Sequence, residues 1–364
     1  MPGAHVVVDS KAVAADVRRT GRVIDPDVRA LTILGVAFLG VGALVSRTVG
    51  TSFVVPRGDD PVIGTSFFVP PLAALVGYLV LRLVSGAMSG NRRFDGRRLR
   101  ETWTDCYLVL LFTLVVYVHF HIKMWVPLLN DRSFDQTFLA IDERFRGVIE
   151  PLRWLRSVGA RALPVPDIWY EAAFFPTFVL AFWFHALGHR RWHYHNLVAI
   201  TLIELVGPLS YLLAPAAGPF LFEDGDNARA TLLQHRMYEQ FLSMRRGGTS
   251  WLAANGSEYL TAPLAAMPSL HCAAIAVLAY YAVRARIAIA PLVVLAAGWI
   301  AIEAVVARWH YLVDVPAGFA LAVIVIGVTN RLCGFRSWAG STAASRPIAG
   351  SGAWRRTATS EPGT

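Results

Sequence analysis

His310-Tyr311-Leu312-Val313-Asp314-Val315-Pro316-Ala317-Gly318 opens an apolar run that lasts to Arg331. A helix needs about 20 consecutive apolar residues to cross the hydrocarbon core of a bilayer, and residues 311–331 supply that length. The arrangement has a counterpart upstream, where Pro268-Ser269-Leu270-His271 leads into the apolar segment 269–284. In both places ionisable groups stand where an apolar helix begins. Such groups are costly at a membrane helix end unless they face a cavity, so they are functional candidates from the outset. Two imidazoles and one carboxylate are also a sufficient set for moving a phosphoryl group. One neutral imidazole attacks phosphorus, the carboxylate orients it, and the second imidazole protonates the departing oxygen.

Working outward, further apolar segments fall at 30–47, 67–86, 104–122, 168–187, 196–214 and 286–306, which makes eight expected spans. Helix is preferred to strand because a barrel strand alternates over only about 10 residues. The expected fold is all-α, a polytopic membrane bundle with a six-helix-type core, and a kink or late start is expected at Pro70-Pro71 in the second span. The chain is 55% hydrophobic with a mean hydropathy of +0.47, more than a soluble domain of 364 residues requires.

The net charge of +9 would point to nucleic acid in a soluble protein. Here the basic residues gather in short loops between spans, as the positive-inside bias predicts. No aromatic–basic surface lies outside the spans, so nucleic acid is excluded as a partner. The short loops Arg92–Arg100, Arg190-Arg191 and Arg284–Arg286 and the tail bearing Arg331, Arg336, Arg355 and Arg356 are densely basic. Both termini are therefore expected in the cytoplasm, in what is most simply a plasma membrane. That topology brings His271, His310 and the end of the fifth span, Tyr211 to Pro219, to the non-cytoplasmic face. Met1 to Arg29 holds no apolar core ahead of the first span, so no cleavable signal is expected. Cys106, Cys272 and Cys333 lie in or beside spans and read as small buried hydrophobes.

Four parts result: a polar cytoplasmic tail at 1–29, N-terminal helices with an outer interfacial segment at 30–164, a catalytic core at 165–331, and a Gly-, Ser-, Ala- and Arg-rich tail at 332–364 expected to be disordered. Within 122–167, Asp135, Asp142, Glu143, Arg144 and Arg146 alternate with Phe134, Phe138, Leu139 and Phe145, an amphipathic pattern suited to a helix lying along the interface.

His310 and Asp314 are four apart, the spacing of one helical face. Asp314 can accept a hydrogen bond from one ring nitrogen and leave the other free as a nucleophile. Gly318, with Ala317 and Ala320, permits close helix packing at this point. Pro268 and Ser269 form a helix-start signal ahead of His271, and a helix N-terminus offers unpaired N–H groups to phosphate. Ser269 can contact phosphate itself. Tyr211-Leu212-Leu213-Ala214-Pro215-Ala216-Ala217-Gly218-Pro219 ends the fifth span in a compact turn that either only stops the helix or also shapes a substrate pocket.

Together these segments resemble the type 2 phosphatidic acid phosphatase superfamily, and most closely its inositolphosphorylceramide synthase-like (inositolphosphotransferase) branch. The resemblance spans about residues 165–331. Pro268-Ser269-Leu270-His271 looks like the second motif, and His310 through Asp314 like the end of the third. By that resemblance His310 is the nucleophile, Asp314 its orienting partner and His271 the general acid and base. Ser269, Arg308, Tyr211, Pro215 and Pro219 are the expected substrate-binding residues. The Ser-Arg pair that phosphatases carry seven and six positions before the third-motif His is replaced by Glu303 and Ala304, and their Lys-x6-Arg-Pro motif is absent. These departures favour the synthase-like branch. They leave Arg308, or Arg245 and Arg246 on the outer loop, to bind phosphate.

The resemblance implies a lipid phosphatase or phosphotransferase acting on a lipid-linked phosphate in the membrane, with water or an alcohol or polyol as acceptor. No metal or other cofactor is required, because Arg and helix N–H groups can offset the phosphate charge. Two other readings compete. Glu204 and Glu303 are acids within spans, as a transporter or non-catalytic scaffold would use. His185, His189, His193 and His195, with His119 and His121 elsewhere, would instead serve a histidine-box metal enzyme. The aromatic neighbours Trp183, Phe184, Trp192 and Tyr194 make an interfacial belt the simpler account of those histidines.

Overall fold

The computed structural model describes residues 26–57, 66–88, 96–188 and 190–333. The tail up to residue 25, the basic loop residues 89–95, His189 and the tail from residue 334 lie outside the described residues. Among the described residues there are eleven α-helices and no strand. In chain order they are α1 (Pro26–Val49), α2 (Val69–Met88), α3 (Gly96–Leu129), α4 (Asp135–Arg144), α5 (Arg146–Ala162), α6 (Trp169–Gly188), α7 (Arg190–Ser210), α8 (Ala228–Tyr259), α9 (Leu270–Ala285), α10 (Ala290–Val306) and α11 (Asp314–Leu332).

Each of the eight apolar segments lies in a helix, but not every helix meets the length and composition of a span. Five do, at Val28–Val49, Val69–Met88, Gly96–Leu129, Pro166–Gly188 and Asp314–Leu332. α9 and α10 are shorter, with 16 and 17 residues. α7 starts on Arg190-Arg191-Trp192-His193-Tyr194-His195-Asn196, which dilutes its apolar character. The apolar surface is turned outward in the way lipid requires: Leu44, Leu72, Leu83, Leu110, Leu295, Val323 and Ile324 are all exposed. This is an integral membrane protein.

The core is built by α9, which packs against α6, α7, α10 and α11, while α7 also meets α1 and α3. Small residues make that possible. Ala273, Ala274 and Ala282 are fully buried on α9, and a Cβ on Gly207 of α7 would lie 2.3 Å from the Leu270 side chain. Membrane helices, lacking a hydrophobic drive to associate, gain contact by this kind of close backbone approach.

The amphipathic stretch after α3 forms two helices, α4 and α5. α5 buries Ile149 and Arg156 and leaves Val148, Trp154, Leu155 and Val158 exposed. It leans on α10, where a Cβ on Gly159 would meet the Trp299 ring at 2.5 Å. The long helix α8 was not expected from the sequence. It has non-helical φ and ψ at Gly248 (φ +56°), a value glycine adopts without steric cost.

Candidate active site

The three motif segments meet at one end of the bundle. The backbone N–H of Ser269 donates to the Asp314 carbonyl at 3.0 Å, and that of Ala266 donates to the Ala216 carbonyl at 2.8 Å. A Cβ on Gly318 would fall 2.3 Å from the Ser269 carbonyl oxygen, so the missing side chain lets α11 press against the turn before α9. Ser269 is the N-cap of α9 and accepts from the Cys272 N–H at 3.4 Å.

His310 does not share a helical face with Asp314. α11 begins at Asp314, and His310 sits in the turn between α10 and α11. The pair still meets, because the turn folds back: Asp314 Oδ2 accepts from the Tyr311 N–H at 2.8 Å and lies 3.4 Å from His310 Nδ1. His310 Nδ1 is also 2.7 Å from the Ala266 carbonyl oxygen. A carbonyl only accepts, so Nδ1 carries the proton and the Nε2 lone pair is left available. His271, in the first turn of α9, brings its ring centroid to 6.2 Å from that of His310. Phe174 and Tyr170 of α6 meet the His271 ring edge-on at 4.5 and 5.4 Å and fix its orientation.

Two acids of α4 hold this turn. They are seven residues apart, on one face of the helix. Asp135 accepts from the N–H groups of Ala217 and Gly218, each at 3.0 Å, and from the Tyr311 hydroxyl at 2.8 Å. Burial and the neighbouring Asp135 carboxylate push the Tyr311 phenol well up, so it stays a donor. Asp142 accepts from the Leu312 N–H at 2.9 Å and from Arg308 Nη1 at 3.1 Å. Burial raises the Asp142 carboxyl, against the opposing pull of that N–H and of Arg308.

Arg308 has φ +58°, in the left-handed region, and is 1% exposed. Its Nη1 donates to Asp142 and its Nη2 lies 3.4 Å from Glu223, while Nε and Nη2 make no hydrogen bond among the described residues. Burial disfavours the charged form of Glu223, but Arg146, Arg308 and Arg153 together hold its carboxyl below the usual range. Arg308 thus braces the turn through ion pairs. Arg245 and Arg246 are exposed on α8 and donate to the carbonyls of Asp131 and Leu242.

Tyr211 is buried with its ring facing Lys123 Nζ, 5.7 Å from the centroid. The Pro215 carbonyl accepts from the Phe134 N–H at 2.8 Å, and Pro219 opens a short 3-10 turn whose Phe220 N–H donates to the Arg308 carbonyl at 3.3 Å. The whole segment from Tyr211 to Pro219 is therefore wired to α4, to the Ala266 strand of backbone and to the histidine turn.

A family model described as the PAP2 superfamily matches residues 136–328, more than half of the 364 residues. The chain belongs to the PAP2 superfamily. The match begins within α4 and so reaches further upstream than residue 165. Comparison with curated proteins found no match, and comparison with solved structures found none. Members of the PAP2 superfamily are phosphatases, and membership points this chain to phosphatase or phosphotransferase chemistry.

The residues of the competing readings are engaged elsewhere. Glu204 lies 3.0 Å from His119 Nδ1, and Glu303 accepts from Arg156 Nε at 3.1 Å. His193 meets Asp105 at 3.4 Å, His195 Nδ1 bonds the Arg191 carbonyl at 2.9 Å, and His121 accepts from the Val54 N–H at 2.9 Å. Asp105 is also bonded by Arg190 and Tyr78. Among the described residues no three His, Cys, Asp or Glu gather as a metal site would require.

Proposed function

We propose that this PAP2 superfamily protein transfers a phosphoryl-type group on a lipid-linked phosphate through a phosphohistidine on His310. The observation that carries the reading is the pair of acceptors around His310 Nδ1, the Ala266 carbonyl at 2.7 Å and Asp314 Oδ2 at 3.4 Å, which draw the ring proton to that nitrogen. The Nε2 lone pair attacks phosphorus while the P–O bond to the leaving alcohol breaks, and His271 supplies that oxygen with its proton. Asp314 offsets the positive charge that the His310 ring gains. In the second half His271 takes a proton from the acceptor hydroxyl, whose oxygen attacks phosphorus as the P–N bond breaks. His310 is thereby restored. General acid–base groups of this kind contribute about 10²–10⁴-fold in rate.

The acceptor is an alcohol or polyol, which makes the protein a transferase of the inositolphosphorylceramide synthase-like branch. Two features support this. Glu303 and Ala304 stand where the phosphatases have Ser-Arg, and Glu303 is turned away to Arg156. The Tyr211–Pro219 segment lies directly against the backbone that bonds His310. The site faces the non-cytoplasmic side of the plasma membrane, with both termini inside, in keeping with the basic loops Arg190-Arg191 and Arg284–Arg286 at the far end of the bundle. α5, with Trp154, Leu155 and Val158 exposed, rests in the outer headgroup region.

The test uses purified protein in lipid–detergent micelles with diacyl, isoprenoid and sphingoid phosphates and phosphodiesters, with and without a polyol. Free phosphate and new lipid products are both quantified for wild type and His310→Ala. A transferred product that disappears in the variant is expected. Free phosphate alone would make the protein a phosphatase, and equal turnover by both proteins would remove His310 from the mechanism.

A further inference from the structure

A phosphotransfer site needs positive charge for the phosphate, and the expected cation, Arg308, already stands between two carboxylates. The Arg308 charge is balanced by Asp142 and Glu223. Without a further positive group an incoming anion would meet the Asp314, Asp135 and Asp142 carboxylates with Arg308 alone to offset them, a repulsive arrangement in a low-dielectric site. Lys123 is one of two lysines in the chain and lies inside the long span α3. The residue is half-buried, its ammonium makes no ion pair within 4 Å among the described residues, and the ring it faces is that of Tyr211 at 5.7 Å. Glu204 is the acid whose charge reaches it, and Glu204 is already held by His119 Nδ1 at 3.0 Å. Tyr211 opens the segment whose Ala216 carbonyl accepts from the Ala266 N–H at 2.8 Å, and the Ala266 carbonyl bonds His310 Nδ1 at 2.7 Å, which puts the ammonium on the same side of the bundle as the catalytic pair.

An unpaired ammonium inside a membrane bundle is costly and is kept where function uses it. We propose that Lys123 is the phosphate-binding cation of this site, reaching the substrate phosphate across the Tyr211 ring from a helix that lies upstream of the matched family region. The assignment rests on the phosphotransfer reading above. Lys123 takes no proton step. It neutralises phosphate oxygens as the negative charge is carried past His310 and His271, and Tyr211 keeps the flexible side chain aimed.

The test compares full-length wild type, Lys123→Met and Lys123→Arg, using orthovanadate as probe. Thermal stabilisation by vanadate gives an apparent Kd, and KM is measured on the lipid phosphate that wild type turns over best. Lys123→Met is expected to weaken vanadate binding and raise KM by about 10- to 100-fold, the range for losing a charge-assisted hydrogen bond. Lys123→Arg should recover part of both. The unliganded Met variant should melt no lower than wild type, because an unpaired charge has been removed. Vanadate bound equally by wild type and Lys123→Met overturns the assignment while leaving the histidine mechanism intact. A Met variant that melts several degrees lower, with no rescue by Arg, assigns Lys123 a structural role instead. A wild type that neither binds vanadate nor turns over any phosphate removes the phosphotransfer reading, and this assignment with it.

Discussion

Asp142 is fully buried and holds the His310 turn at two points, so its removal should harm both stability and rate. Replacing it with Ala takes away the Leu312 N–H acceptor and strips Arg308 of its better partner. Breaking a buried pair by deleting one side costs about 3–5 kcal/mol. Arg308 keeps Glu223 at 3.4 Å, which is about one-quarter exposed, so the lower end, about 3 kcal/mol, is expected. Asp142→Asn retains an acceptor for Leu312 and loses only the charge, for about 1–2 kcal/mol. Rate should fall further than stability alone explains, because a displacement of about 1 Å in a catalytic group costs about 10²-fold. Thermal unfolding in detergent and kcat at a temperature where every variant is folded separate the two effects. Asp142→Ala with wild-type kcat, whatever its melting temperature, would refute the claim that α4 positions the nucleophile.

Other perturbations follow from the same geometry. His271→Ala should lower turnover by about 10²–10⁴-fold with little change in melting temperature. Gly318→Ala places a methyl 2.3 Å from the Ser269 carbonyl, and the enforced shift should cost about 1–3 kcal/mol and reduce activity, read by unfolding and turnover together. Glu223 has a depressed folded pKa, so its contribution is complete above the ordinary glutamate value, about 4.3, and is lost as pH falls through the folded value. Wild type should therefore lose melting temperature in that acid window, and Glu223→Gln should show a shallower fall.

Much of the fold was legible because lipid admits only helices and closed barrels, and uninterrupted apolar runs of this length fit the helix. The amphipathic alternation after Asn130 announced one helix, where the structure has two, α4 and α5. Helix α8 stayed hidden: Ala228–Tyr259 mixes Arg, Gln, Glu and Gly without a clear apolar stripe. At the site, residue types were readable and their geometry was not. The spacing of His310 and Asp314 implied a helix, whereas the contact comes from a turn that Asp314 folds back on itself. Asp135 and Asp142 stood on one face of an amphipathic segment, a signal for something gripped. What they grip lies up to 176 residues away, beyond any local pattern. The ion pairs of Arg308 were equally hidden, because Asp142 and Glu223 both lie far from it in sequence.

Rapid quenching with a ³²P-labelled lipid phosphate tests the phosphohistidine most directly. Wild type should retain an acid-labile, base-stable label on the protein and His310→Ala should retain none, with its turnover lost. Label of equal intensity on His310→Ala, or turnover by that variant at the wild-type rate, would contradict the account.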